Sequence, residues 1–195
     1  MSQILGGLKK GLIFVISAPA GTGKTTLVRM LREEFSCVIE SISYTTRLPR
    51  PNEIPGRDYH FITIEDFKKR IKEGEFLEYA EVFGNYYGTS RKYVESLQEK
   101  GKHVLMVIDT QGALQLKGKI EAAFIFISPP SLHELRARLY ARQADTNESI
   151  EHRLSWAEKE IALSKEYEYH IVNDHLKIAY DVLRSILIAE EHKIH

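Results

Sequence analysis

The stretch "APAGTGKTT", Ala18 to Thr26, places Lys24 and Thr25 at the end of a glycine-rich turn. An apolar run, Leu12 to Ser17, precedes it, and a segment of helical spacing, Thr25 to Phe35, follows. Strand, turn and helix in that order are the context a phosphate-binding P-loop requires. Glycines let backbone N–H groups turn inward around phosphate oxygens, and a helix N-terminus adds the positive end of its dipole. The expectation over Ala18, Pro19, Ala20, Gly21, Thr22, Gly23, Lys24, Thr25 and Thr26 is therefore a nucleoside triphosphate site. Lys24 would bridge the outer phosphates, and Thr25 would offer its hydroxyl to Mg²⁺. The pattern G-x-x-x-x-G-K-[ST] asks for glycine where this chain has Ala18, which is tolerable only with a negative φ.

A second stretch, "SYTTRLPRP" from Ser43 to Pro51, sets two arginines three residues apart among hydroxyls and prolines. Pro49 and Pro51 fix φ, remove donors and hold their neighbours extended. Isolated surface arginines are normally just solvated. A triphosphate site elsewhere in the chain gives this pair a purpose, because a transferred phosphoryl group needs an acceptor. Arg47 and Arg50 would fork an acceptor phosphate, with the hydroxyls of Tyr59 and Tyr87 completing its shell. Arg57, in a "PGRD" turn, is expected to be solvated. Asp109 ends the apolar run "HVLMVID", which places it near the phosphates and the metal if that run is a parallel strand. It would also suit a helix cap for "DTQG".

The elements that must position these groups are legible in outline. Continuous apolar runs at Leu12–Ser17, 103–109 and "AAFIFISPP" read as strands buried on both faces. "HIVND" reads as a last short strand. Helical spacing recurs in "IEDFKKRIKEGEF", "SRKYVESLQEKG", "SLHELRARLYARQ", "NESIEHRLSWAEKEIALSKEY" and "LKIAYDVLRSILIAEEHKI". Val38 to Tyr44 reads as one short extended segment, "RDYHFIT" as an edge strand, and "FLEYAEVFGNYYGTS" as strand, turn, strand. The alternation implies an α/β fold with a P-loop NTPase-like parallel sheet and helices on both faces. Residues 43–97, with shorter alternating strands and many Tyr, Gly and Pro, break that rhythm and read as an insertion.

Composition sets limits. The chain has 195 residues, 43% hydrophobic and 28% charged, which suits one domain with a substantial core. Lys plus Arg and Asp plus Glu both number 27, which argues against a nucleic-acid footprint. The one cysteine, Cys37, excludes a disulfide framework, fits a reducing cytoplasm and is expected to be a small buried apolar residue. "KKGLIFVISAPA" loosely imitates a secretory signal, but cleavage there would destroy the phosphate loop. No stretch approaches the roughly 20 apolar residues that span a bilayer.

The segments "SAPAGTGKTTL", "SYTTRLPRPNE", "GRDYHF", "GEFLEYAEVFGNYYGTS", "IDTQG", "FISPPS", "RLYARQADTNESIEHRL" and "IVND" run in order over nearly the whole chain. They resemble the guanylate kinase family, which moves a phosphoryl group from ATP to GMP. The block from "TTRLPR" to "GNYYGT" is more diagnostic than any P-loop. The resemblance implies one domain over 1–195, with core 1–42, 98–136 and 154–195, a GMP-binding subdomain 43–97 and a helical lid 137–153. It implies that Arg47, Arg50, Tyr59 and Tyr87 hold the GMP phosphate, that Ser43, Glu78 and Thr89 read guanine, and that Asp109 belongs with this acceptor set. One carboxylate can accept from guanine N1 and N2 while a hydroxyl of Ser43 or Thr89 donates to O6. Adenine reverses that edge and leaves the carboxylate unpaired, at roughly 1–3 kcal/mol for each buried mismatch.

Arg138, Arg142 and Arg153 fall on the lid, the first two on one helix face, where they would act on the transferring phosphoryl group as arginine fingers. Asn173 resembles the position that contacts the ATP adenine. The family often carries a second acidic residue where this chain has Val107, so Mg²⁺ would rest on Thr25, phosphates and water. The acceptor is already anionic, so no general base is needed, and His60, His103, His133, His152 and His170 are expected to be structural or exposed. Catalysis would rest on alignment and charge neutralisation, with ATP and GMP as the partners. Two rivals remain: a guanylate kinase-like module that binds protein without turnover, and a kinase acting on another nucleoside monophosphate or a small metabolite.

Overall fold

The computed structural model describes residues 4–141 and 147–194. Five parallel strands form the main sheet: β1 (Ile13–Ser17), β2 (Val38–Glu40), β7 (His103–Val107), β8 (Ala123–Ser128) and β9 (Tyr169–Val172), in the order β2-β7-β1-β8-β9. β1 lies at its centre with every residue buried. Phe14 and Ile16 face one core cluster, beneath α1 (Lys24–Glu34) and α7 (Leu176–Glu191). Ile13 and Val15 face the other, with Val94 and Leu97 of α3 (Arg91–Glu99) and Ala113 and Leu116 of α4 (Thr110–Leu116). Both faces of β1 are therefore apolar, as a central strand covered on two sides requires.

A second sheet, ordered β4-β3-β6-β5, is built from β3 (Tyr44–Thr45), β4 (His60–Phe61), β5 (Phe76–Val82) and β6 (Asn85–Ser90). β4 is its edge strand, as "RDYHFIT" suggests. β5 and β6 form a hairpin whose two loop residues, Phe83 and Gly84, have φ of 51° and 75°. Two positive φ values in a two-residue loop are those of a type I′ turn, whose twist matches the strands. Phe67 of α2 (Ile64–Lys72) is fully buried and stacks on Phe76 and Tyr86 of this hairpin. α5 (Leu132–Ala141) and α6 (Asn147–Ala162) pack on one another through Leu135, Leu139, Ile150, Leu154 and Ala157. A short 3₁₀ turn, Leu163–Glu166, follows α6.

Two local features depart from the sequence reading. Val38 to Tyr44 is not one strand: β2 pairs with β7 in the main sheet, and β3 pairs with β4 and β6 in the other. The short link between them carries the chain from one sheet to the next, which periodicity over so few residues does not reveal. The helix cap that Asp109 suits at "DTQG" is present: its carboxylate accepts from Gly112 N at 2.9 Å at the start of α4. Cys37 is half-buried against the core rather than fully enclosed, and burial pushes its thiol pKa up.

Candidate active site

The phosphate loop joins β1 to α1 at the carboxyl end of the central strand. Gly21 and Gly23 have φ of 94° and 90°, which side chains disfavour. Ala18 is not among the positive-φ residues, so alanine meets the condition its position sets. α2, α3 and α4 begin with Thr63, Ser90 and Asp109 bonding a first-turn amide, whereas α1 begins at Gly23 with no side-chain cap. The Lys24 and Thr25 amides at its start are thus left for an anion, while Thr26 N already donates to the Gly23 carbonyl at 3.0 Å. Lys24, half-buried, faces three carboxylates: burial lowers its pKa, while Glu160, Asp109 and Glu40 work the other way. Thr25 is exposed in the same turn. An exposed hydroxyl at the start of a helix beside a lysine is chemically suited to a hard cation that takes its other ligands from bound phosphates and water.

Across the cleft, Arg47 Nη1 and Nη2 grip Glu53 at 3.0 and 2.9 Å, and Nη1 also donates to the Leu48 carbonyl at 2.7 Å. Its guanidinium lies 5.4 Å from the Tyr59 ring centroid. A side-chain bond to Tyr87 joins the Glu53 pairing in raising its pKa. Tyr59 and Tyr87 meet edge to face at 6.0 Å. Arg47, Tyr59 and Tyr87 thus form one cluster. Arg50 is exposed, and its backbone N–H donates to Glu53 at 2.7 Å. Glu53 itself escaped the sequence reading, although "RPNE" holds it.

Glu78 and Thr89 are register partners across β5 and β6. Both are buried, and the Thr89 hydroxyl donates to Glu78 Oε1 at 2.6 Å. That hydrogen is therefore spent within the protein, whereas Ser43 brings a further hydroxyl to the cleft lining. Burial, then the nearby Asp109, pushes the Glu78 pKa up to about 7, with Thr89 opposing. Gly112 abuts Glu78 so closely that a Cβ there would collide with Oε2. A cleft of about 170 Å³ is lined by Lys24 and Glu160, by Ser43, Tyr59, Glu78 and Tyr87, and by Asp109, which lies close enough to influence both Lys24 and Glu78, with Ala18 and Val107 in its wall.

Glu160 was also missed. It lies on the buried stripe of α6 with Ile150, Leu154 and Ala157, and an acid on an apolar stripe was the available signal. Burial pushes its pKa up to about 7, Lys24 opposing. Arg138 donates to Glu134 at 3.1 Å and to the Asn173 carbonyl at 3.0 Å. The Asn173 side chain is buried against the phosphate loop, donating to the Thr22 carbonyl at 2.6 Å. Arg153 is half-buried on α6, and Arg142 lies outside the described residues.

A phosphate loop at the carboxyl end of a central parallel strand, facing a second sheet that carries a guanidinium and a buried carboxylate, defines the P-loop nucleotide kinase class of architecture. Residues 10–190 match the family model described as Guanylate kinase. The guanylate kinase of Protochlamydia amoebophila (strain UWE25) is 57% identical over 193 residues, 98% of either chain. That of Chlamydia felis (strain Fe/C-56) is 50% identical over 182 residues, 93% of this chain and 89% of that one. The crystal structure of guanylate kinase from Anaplasma phagocytophilum superposes with a TM-score of 0.77 at 36% identity, covering 98% of this chain and 90% of that one. The chain belongs to the guanylate kinase family.

Proposed function

We propose that this cleft transfers the γ-phosphoryl group of ATP to GMP, giving ADP and GDP, as family membership supports. The observation that carries the reading is a single cleft with Lys24 on one wall and Glu78, Tyr59 and Tyr87 on the other. Donor and acceptor sets thus face the same space. Backbone amides of the Gly21–Thr26 turn hold the ATP phosphates. Lys24 neutralises charge on the outer phosphates. Arg47, with Arg50 at the rim and the Tyr59 and Tyr87 hydroxyls, orients the GMP phosphate for in-line attack. Glu78 accepts from guanine N1 and N2. Ser43 donates to O6, and Thr89 holds the carboxylate. Asp109 and Glu160 flank Lys24 and direct its ammonium. Thr25 would hold Mg²⁺, which supplies charge neutralisation on the β- and γ-phosphates.

Arg138, Arg142 and Arg153, within the expected lid 137–153, would complete the charge complement as that lid closes and water is excluded. None of the base-reading groups is assigned to the ribose, so dGMP is expected to be accepted too. No described helix is long and apolar enough to cross a membrane, and both substrates belong to the cytoplasm. The test is ADP release across GMP, dGMP, AMP, CMP and UMP. GMP and dGMP should lead, preference for AMP would sink the guanine assignment, and no turnover with any acceptor would favour a binding module.

A further inference from the structure

We infer that Asn173 is a positioning residue for the donor phosphate loop, acting through the Thr22–Gly23 peptide. The inference rests on the reading above that this loop takes ATP. Asn173 follows the last residue of β9 and is 4% exposed. Three of its polar groups are engaged. Its backbone N–H donates to Ser128 at 2.8 Å, its carbonyl accepts from Arg138 at 3.0 Å, and its side-chain Nδ2 donates to the Thr22 carbonyl at 2.6 Å.

The Thr22 contact has a geometric consequence. A trans peptide is planar, with its C=O and N–H on opposite sides. Holding the Thr22 carbonyl toward Asn173 therefore turns the Gly23 N–H the other way, into the hollow of the loop where a phosphate oxygen would lie. The other end of the turn is fixed separately, by the Thr22 hydroxyl donating to the Pro19 carbonyl at 2.8 Å. Gly23 answers to the same brace. A Cβ there would stand 2.6 Å from Asn173 Nδ2, so glycine is required for this packing as well as for its φ of 90°. Arg138 reaches the same residue from α5, so the brace also ties the first lid helix to the loop.

This arrangement gives Asn173 a task besides any contact with adenine, because the brace uses Nδ2 and leaves Oδ1 out of it. A base reader acts on one nucleobase, whereas a brace acts on any polyphosphate in the loop. The experiment compares wild-type chain and Asn173→Ala for binding of ATP, inosine triphosphate and inorganic tripolyphosphate, each with Mg²⁺, by calorimetry. GMP binding and the melting curve report the fold. A brace predicts that all three ligands weaken by the same factor, about tenfold, the scale of one buried hydrogen bond, with GMP binding unchanged. Loss confined to ATP, or no loss with any of the three, overturns the inference. Failure of the wild-type chain to bind any triphosphate would count against the proposed function instead. Should the variant not fold, the side-chain amide resonance of Asn173 in the ¹⁵N-labelled wild-type chain decides. A shift on adding tripolyphosphate alone supports the brace, and a response only to a purine nucleotide removes it.

Discussion

On the proposed function, Glu78 is the residue on which acceptor choice would turn. Its carboxylate is buried beside Asp109 and Gly112, holds one hydroxyl, and has its pKa pushed up to about 7. Guanine N1 and N2 need the ionised form, so GMP affinity should rise as pH climbs through 7. Glu78→Gln should flatten that rise beyond what titration of the GMP phosphate itself contributes. In the acceptor panel the same variant should lose discrimination against AMP more than it loses phosphate binding, and unchanged selectivity would remove Glu78 from the base site. Stability follows from the same shift. With a folded value near 7 against an ordinary 4.5, the folded chain binds more protons than the unfolded one between those values. The contribution is full below pH 4.5 and is lost as pH rises through 7. Glu160 adds in the same direction. Melting temperature should therefore fall across that window, and less steeply in Glu78→Gln.

The β5–β6 hairpin and α4 form one unit at the scale of elements. β5 brings Glu78 to the cleft, β6 brings Tyr87 and Thr89, and α4 supplies the Gly112 surface beneath the carboxylate. Gly112→Ala inserts a methyl group against Glu78 Oε2, with both groups held by buried neighbours. The expected outcome is a rise in KM for GMP of about tenfold or more with KM for ATP little changed, read from steady-state kinetics. At the hairpin tip, Phe83 holds a left-handed φ and lies 5.2 Å from His152 and 5.8 Å from Trp156 of α6, centroid to centroid. The hairpin tip and α6 therefore touch, so a movement of either would be felt by the other.

At the scale of the molecule, the proposed donor and acceptor groups share one cleft but are carried by separate sheets, so closure over two bound nucleotides is the motion the proposed function expects. Adding ATP and GMP analogues together should reduce the radius of gyration in solution scattering, and profiles identical with and without both would contradict closure. The opposite end of the main sheet does a different job. His103, the first residue of β7, accepts from Leu12 N at 3.1 Å on Nδ1, so Nε2 carries the proton and bonds Glu191 at 2.5 Å. Glu191 also accepts from Gly6 and Gly7 at 2.7 and 2.8 Å. This clip ties the N-terminal segment to the last turn of α7. Glu191→Ala strands a buried imidazole N–H and should cost about 2 kcal/mol in denaturant unfolding, with KM for both nucleotides unchanged.

Much of this was legible in the residues. Continuous apolar runs fixed the β1, β7 and β8 strands, because a strand covered on both faces has no polar period to confuse it. The P-loop could be read because glycine, lysine and threonine at set intervals answer a local demand of backbone geometry. Tertiary structure decided what local spacing does not encode. The segment after α1 divides between two sheets because pairing partners lie far along the chain. Thr89 spends its proton on Glu78 only because register sets them opposite. Glu53 and Glu160 enter the site because folding buries a carboxylate beside a cation, and Asn173 meets Thr22 across 151 residues of sequence. Chemistry set by neighbours in the chain is written in the sequence, whereas chemistry set by neighbours in space exists only once the sheets have formed.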